Sequence, residues 1–111
     1  MMMSEQYCYQ LKEVETILNS YTVKQGDRLI ITQWPSKRKK RVCLIYVISD
    51  FFDMDMTYSE TEVNDILKPI YEDHVMLRRF LIDLQLLTRD DYGKAYQRTS
   101  KRILMCHEKN M

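Results

Sequence analysis

Residues 58–99 read YSETEVNDILKPIYEDHVMLRRFLIDLQLLTRDDYGKAYQRT and carry one continuous structural signal. Ser59 followed by Glu62 forms an S-x-x-E capping box, which is typical of the first turn of a helix. Apolar residues then recur at helical spacing until Pro69, which disfavours helical geometry in the residue before it. This pattern predicts a first capped helix over residues 59–68.

A second helix is predicted over residues 73–85, after a three-residue turn, with Asp73 as its N-cap. The helix is apolar on two sides, which is typical of a helix sandwiched between two elements or packed against a partner chain. The apolar residues are Leu77, Phe80, Leu81 and Leu84 on one side, and Val75, Ile82 and Leu86 on the other.

A short hairpin is predicted next, because the runs Leu86 to Arg89 and Ala95 to Thr99 flank Asp90-Asp91-Tyr92-Gly93. Asp and Gly favour turns, and Gly93 can take a positive φ at low cost. Helix, turn, helix and hairpin in this order predict an α+β fold that is winged helix-turn-helix-like, with four helices and a small antiparallel sheet.

The N-terminal half supplies the other two helices, over residues 5–21 and 37–53. Ser4 can cap the first, and its apolar residues alternate at the spacing of a coiled-coil seam. The seam residues are Tyr7, Leu11, Val14, Leu18 and Tyr21. Two interpretations stay open, a helix packed on its own domain or a dimer seam. Between these helices, residues 28–34 are rich in residues that favour β-structure. We therefore expect a strand there, which pairs with the hairpin in a three-stranded sheet.

The run Lys37-Arg38-Lys39-Lys40-Arg41 is the most basic segment of the chain. If Ser36 caps the helix that follows, cations fill its first turn and oppose the helix dipole by about 0.3–1 kcal/mol each. A bound anion such as a phosphate would relieve that conflict. Alternatively, the helix begins at Arg41 and the run is a solvated loop.

Length and charge bound the possible functions. The 111 residues fit one small domain, which we divide into an N-terminal helix (1–24), a winged-helix-like domain (25–100) and a C-terminal tail (101–111). The formal net charge of +1 weakens a nucleic-acid interpretation, because dedicated binders usually carry a basic excess.

Three cysteines, Cys8, Cys43 and Cys106, are odd in number and far apart, which predicts reduced thiols rather than a disulfide framework. Cys106-His107 lacks the further ligands of a zinc site. No apolar run has transmembrane length, and no signal peptide is visible. We therefore expect a cytoplasmic protein that binds no metal and enters no membrane.

Catalytic motifs are missing from the sequence. There is no G-x-S-x-G, no P-loop and no H-E-x-x-H, so we expect neither an enzyme nor a cofactor.

Three phrases resemble a bacterial domain of unknown function that is found alone or fused to helix-turn-helix transcriptional regulators. They are PSKRKKR at 35–41, YSETEVN at 58–64 and DHVMLRRFLID at 73–83. The resemblance covers 25–99 and departs at Gln85, near which the family usually has glycine. It implies a bacterial origin and a link to gene regulation, implies no catalytic residues, and leaves open whether the domain touches DNA or serves as a partner module.

Two functions follow as hypotheses. In the first, a homodimer binds double-stranded DNA, with groove contacts from the second helix of the pair and phosphate contacts from the basic run and the hairpin. The alternative is a non-catalytic interaction or dimerisation module without direct DNA contact. The nucleic-acid-binding residues of the first hypothesis are Lys37, Arg38, Lys39, Lys40, Arg41, His74, Arg78, Arg79, Arg89, Lys94 and Arg98.

Overall fold

The computed structural model describes residues 7–92 and 94–106, and these residues form four helices and seven short strands. In chain order they are β1 (Cys8–Tyr9), α1 (Leu11–Tyr21), β2 (Thr22–Gln25), β3 (Arg28–Ile31), α2 (Arg38–Ser49), β4 (Thr57–Tyr58), α3 (Glu60–Leu67), α4 (His74–Asp83), β5 (Leu87–Arg89), β6 (Tyr96–Arg98) and β7 (Leu104–Met105). The expected α+β class, with four helices and small antiparallel sheets, is confirmed.

The hairpin predicted after Leu86 is confirmed, since β5 and β6 pair antiparallel with Arg89 opposite Tyr96. Strand β4 joins on the other side of β6, which gives an antiparallel sheet in the order β4–β6–β5. The conformation expected for the Gly93 turn position lies outside the described residues.

The strand expected over residues 28–34 does not join this sheet, and that prediction is wrong. It forms β3, ends at Ile31, and pairs antiparallel with β2 in a separate two-stranded sheet. The reason is a tight local turn, in which Gly26 has a φ of +62° and lets the chain reverse onto its immediate neighbour. The third place beside the hairpin is therefore taken by β4.

Helix α3 begins with the capping box that the sequence predicts. Ser59 Oγ accepts a hydrogen bond from Glu62 N at 3.1 Å, and Glu62 Oε1 accepts one from Ser59 N at 2.8 Å. Helix α4 is capped by Asp73, whose Oδ1 accepts a hydrogen bond from Met76 N at 3.2 Å. Both helices end within about two residues of their expected positions.

The end of α4 is a Schellman motif built around Gln85. Leu86 N donates to Leu81 O, and Gln85 N donates to Ile82 O, each at 2.9 Å. Gln85 has a φ of +63°, the left-handed conformation that glycine usually occupies at this position. The glutamine therefore adopts the geometry for which the resembling family usually has glycine.

Helix α1 begins at Leu11, so the expected start near residue 5 is wrong. Residues Cys8 and Tyr9 form β1 instead, which removes Tyr7 from the helical stripe, and Ser4 lies outside the described residues. The new start is explained by Glu13, whose Oε1 accepts a hydrogen bond from Gln10 N at 3.4 Å. Helix α1 packs against α2 of its own chain.

Helix α2 runs from Arg38 to Ser49 and is shorter than the expected 37–53. Its C-terminal end tightens, because Asp50 N, Phe51 N and Phe52 N each donate to a carbonyl three residues earlier. The helix carries the centre of the core, in which α2, α3, α4 and the β5–β6 hairpin meet. Core side chains that are at most 1 % exposed include Leu44, Ile45, Ile48, Val63, Leu67, Leu77, Leu81 and Tyr96.

Two of the three cysteines are joined, so the expectation of three reduced thiols is wrong. Strand β1 pairs parallel with β7, which brings the Cα atoms of Cys8 and Cys106 to 5.1 Å although 98 residues separate them. The two form a disulfide, while Cys43 is a buried free thiol. Distance along the sequence was a poor guide because the two ends of the fold meet. Within the described residues, no helix is long and apolar enough to cross a membrane.

Candidate nucleic-acid interface

Helix α4 presents one face to solvent and the other to the core. Leu77 and Leu81 are buried against α2 and α3, whereas Val75, Arg79 and Asp83 follow one another along the exposed side at four-residue spacing. This exposed face of α4 is the surface on which the sequence analysis placed groove contacts. It carries only one of the two arginines expected there.

Arg78 is held inside the fold rather than on that face. Its side chain is 16 % exposed, and its Nη1 donates to Asn64 Oδ1 at 2.5 Å and lies 3.7 Å from Glu60 Oε2. Both partners belong to α3, so Arg78 links the two helices of the pair. Such a charge-assisted contact connects the two helices, and Arg78 also lines the groove that lies between α4 and the β5–β6 hairpin.

Arg98 is also an internal residue, although it was expected among the nucleic-acid contacts of the hairpin. Its side chain is 8 % exposed, with Nη1 donating to Phe52 O at 3.2 Å and Nη2 to Asp50 Oδ1 at 3.1 Å. Pairing with Leu87 places it at the base of the hairpin, against the end of α2. Arg89 and Lys94, nearer the tip, are exposed.

The basic run forms the first turn of α2, so the helix begins within one residue of the first expected start and not at Arg41. Lys37 stands at the N-cap position, and its carbonyl accepts hydrogen bonds from Lys40 N and Arg41 N, each at 3.1 Å. The helix therefore begins at Arg38 without a side-chain cap from Ser36, and it does place cations in its first turn.

Contacts within the chain offset the unfavourable position of these cations. Lys39 Nζ lies 2.9 Å from Glu13 Oε2 and 5.2 Å from the centre of the Tyr9 ring. Lys40 Nζ lies 5.5 Å from the Tyr21 ring centre, and Arg41 Nε donates to Pro35 O at 2.7 Å. The hydrogen bond from Lys39 lowers the pKa of Glu13. A bound anion is therefore not required to explain this turn.

Arg38 differs from the other cations of this turn because its side chain contacts α4. Its guanidinium lies 5.3 Å from the centre of the Phe80 ring, at one side of a groove of about 430 Å³ that Arg79 and Asp83 also line. Trp34 completes an aromatic group behind it, with ring centres 5.7 Å from Tyr71 and 6.4 Å from Phe80. Nothing in the sequence pattern predicts this group, since Trp34 and Tyr71 lie in connecting segments that have no helical or strand periodicity.

A second groove, of about 470 Å³, separates α4 from the β5–β6 hairpin. Arg79 and Asp83 line its α4 side and Arg89 lines its hairpin side. Arg79 is therefore central, between Arg38 on one flank and Arg89 on the other. The surface is not uniformly basic, because the carboxylates of Asp73 and Asp83 lie on it too.

The eleven candidate residues thus separate into two groups. Six lie at the surface around the exposed face of α4, the hairpin and the start of α2, with His74 half-buried at the first turn of α4. They are Lys37, Arg38, His74, Arg79, Arg89 and Lys94. The other five are only partly exposed and contact partners within the chain, as Arg38 also does; they are Lys39, Lys40, Arg41, Arg78 and Arg98.

Comparison with known proteins identifies the family of this chain. No curated protein and no solved structure shows significant similarity to the chain. A family model matches residues 30–98, which run from β3 to the end of the hairpin and include α2, α3 and α4. The match covers more than half of the 111 residues. The chain belongs to the bacterial family described as "Uncharacterized protein conserved in bacteria (DUF2087)".

Proposed function

We propose that this chain is a winged-helix protein of transcription regulation that contacts duplex DNA through α4 and the β5–β6 hairpin. The observation that carries the proposal is the element order α2, β4, α3, α4, β5, β6 with the sheet order β4–β6–β5. A helix, a strand, a helix pair and a hairpin arranged in this way correspond to the winged form of the helix-turn-helix. In that form the second helix of the pair is the one that enters the major groove.

The exposed cations support the proposal by their positions. Arg79 lies midway along the exposed face of α4, and Arg89 and Lys94 lie on the hairpin that flanks it. Arg79 is the candidate for a base contact, since an arginine in the major groove can bind a guanine edge with two hydrogen bonds. Arg89, Lys94, Lys37 and Arg38 are the candidates for phosphate contacts, which position a protein without reading sequence.

The proposal includes a cytoplasmic location and a homodimer. Helix-turn-helix proteins commonly use two-fold symmetry to bind two half-sites, and Leu11 on α1 is an apolar side chain that is 65 % exposed. The resemblance to domains found with helix-turn-helix regulators points in the same direction.

A protein-interaction module is the second candidate, and the charges on α4 favour it. Glu72, Asp73 and Asp83 are exposed on or beside the same face as Arg79, and each would repel a phosphate. Val75, at 41 % exposure, adds an apolar contact to that face. A mixed face of this kind suits a protein partner with complementary charges better than it suits DNA.

The experiment that separates the two is a titration against random-sequence duplex DNA at two salt concentrations. If the chain binds DNA, affinity falls as salt rises, with a slope of about 0.9 for each phosphate contact. A triple variant, Arg79→Gln, Arg89→Gln and Lys94→Gln, should weaken binding and flatten that slope. The matched control, Lys12→Gln, Lys24→Gln and Arg28→Gln, removes the same charge from exposed positions on α1, β2 and β3.

Two outcomes would overturn the DNA proposal. One is no detectable binding at low salt, which leaves the interaction module as the better account. The other is an equal loss in both triple variants, which would show that net charge alone, rather than the α4 and hairpin surface, attracts the DNA. Arg79→Ala alone should change the preference among duplex sequences more than it changes the salt slope.

A further inference from the structure

The two ends of the described chain are joined in a small structure that we call the terminal clasp, formed by residues 7–9 and 104–106. Its parallel pair, β1 with β7, contains only two residues on each side, Cys8 opposite Leu104 and Tyr9 opposite Met105. Cys106 N adds one hydrogen bond to Tyr9 O at 2.7 Å. So short a strand pair is marginal in water by itself, and the Cys8–Cys106 disulfide joins its two strands covalently.

The clasp is also attached to the basic first turn of α2, through Tyr9. The Tyr9 side chain is completely buried, and its hydroxyl donates a hydrogen bond to Lys39 O at 2.6 Å. Burial raises the pKa of this hydroxyl, so it remains a neutral donor at physiological pH. The same ring lies beneath the Lys39 ammonium. Tyr9 therefore connects β1 directly to Lys39 in the first turn of α2.

The disulfide is open to chemical attack, whereas the third cysteine is not. Cys8 is exposed and Cys106 is partly exposed, and exposed disulfides are the ones that thiols reduce readily. Cys43 has no exposed surface, and burial raises its pKa to about 11, so it stays a protonated thiol that does not exchange with the other two. Chemistry at the sulfur atoms is thereby confined to the clasp.

We propose that Cys8 and Cys106 form a reversible thiol switch, in which a dithiol reductant opens the terminal clasp and loosens the first turn of α2 while the core stays folded. A thiolate of the reductant attacks Cys8 Sγ, the disulfide breaks, and Cys106 leaves as a thiolate that takes up a proton. The second thiol of the reductant then attacks the mixed disulfide. Two electrons pass to the protein, which ends with two thiols, and the reductant ends as a disulfide.

Contacts that do not involve the disulfide should keep the core folded when the clasp opens. Residues 30–98, which match the family model, contain neither Cys8 nor Cys106. Just after β6 the chain is also fastened to the end of α4, because Thr99 Oγ donates to Gln85 O at 2.7 Å and Lys101 Nζ to Leu84 O at 2.8 Å. Opening is therefore expected to stop near residue 101.

Hydrogen–deuterium exchange of the full chain, with and without dithiothreitol, tests the proposal. Alkylation in denaturant, which exposes the buried Cys43, followed by mass measurement should find one free thiol before reduction and three after it. Reduction should speed exchange at least about tenfold in peptides covering residues 7–10, 37–41 and 102–106, with α3 and α4 unchanged. After removal of the reductant, oxidised glutathione, a disulfide that accepts the two electrons from Cys8 and Cys106, should restore the protection.

Two variants serve as controls. Cys8→Ser with Cys106→Ser should show the fast exchange of the reduced chain with or without dithiothreitol. Cys43→Ala keeps the disulfide, so it should still respond to the reductant. Neither measurement involves DNA, so failure of this inference and failure of the proposed function are distinguishable.

Three results would overturn the switch. The first is three free thiols in the untreated protein. The second is loss of protection across α3 and α4 on reduction, or failure of the double variant to fold, since the disulfide would then be a structural staple of the whole domain. The third is faster exchange of the clasp with no change at residues 37–41, which would remove the coupling to α2.

Discussion

Gln85→Gly is expected to raise the free energy of unfolding by about 0.5–1 kcal/mol. Gln85 has a φ of +63°, and a left-handed conformation costs a residue with a Cβ about 1–2 kcal/mol. Glycine escapes that cost but loses about 0.5–1 kcal/mol more backbone entropy on folding, which leaves a net gain. The Gln85 side chain is exposed, and glycine keeps the bonds of its backbone N to Ile82 O and of its backbone O to Thr99 Oγ.

Urea denaturation of the oxidised chain is the assay, with Gln85→Ala as the matched control. Alanine removes the same side chain but retains the Cβ, so its stability should equal that of the parent or fall slightly. In a separate thermal scan the glycine variant should melt about 2–4 °C higher, since 1 kcal/mol corresponds to about 4 °C in a domain of this size. A glycine variant no more stable than the alanine variant would refute the left-handed cap and with it the Schellman end of α4.

Three further substitutions test other parts of the structure. Ser59→Ala should lower the free energy of unfolding by about 1 kcal/mol through loss of the capping box, and an unchanged urea midpoint would show that α3 begins elsewhere. Arg98→Met should cost about 1–3 kcal/mol in the same assay, because it keeps the aliphatic stem but leaves Phe52 O without its donor, and a neutral effect would contradict the buried position of Arg98. Lys39 lowers the pKa of Glu13 below its ordinary 4.5, so the stabilisation from ionised Glu13 is present above pH 4.5 and is lost as pH falls through its lowered value. Glu13→Gln should therefore flatten the fall in melting temperature on the acid side, and identical pH profiles would refute the contact.

Local chemistry was sufficient to predict the second half of the chain. The Ser59 capping box, the Asp73 cap and the turn before Lys94 each act within a few residues, and helix periodicity connects them. For this reason α3, α4 and the β5–β6 hairpin lie close to where the sequence placed them. The basic first turn of α2 was also one of the two expectations, although Lys37 rather than Ser36 occupies the cap position.

The failures share a physical cause, which is pairing between distant segments. Nothing near Cys8 indicates that it meets Cys106, since that contact depends on how the whole chain folds back on itself. The same holds for the candidate interface. Arg78 and Arg79 are adjacent and chemically identical. Arg78 nevertheless contacts Asn64 and Glu60 of α3 and is mostly buried, whereas Arg79 is exposed. Periodicity places a residue on a side of a helix but does not identify its partner.

The disulfide between the chain ends also has a mechanical consequence. Tension applied to the chain outside Cys8 and Cys106 would pass through the sulfur–sulfur bond and bypass every helix and strand between them. The 98-residue separation corresponds to a contour length of about 340 Å that stays hidden from a stretching force until the bond is reduced. A single-molecule pulling trace should therefore lack a domain-unfolding step in the oxidised chain and gain one when a dithiol is added.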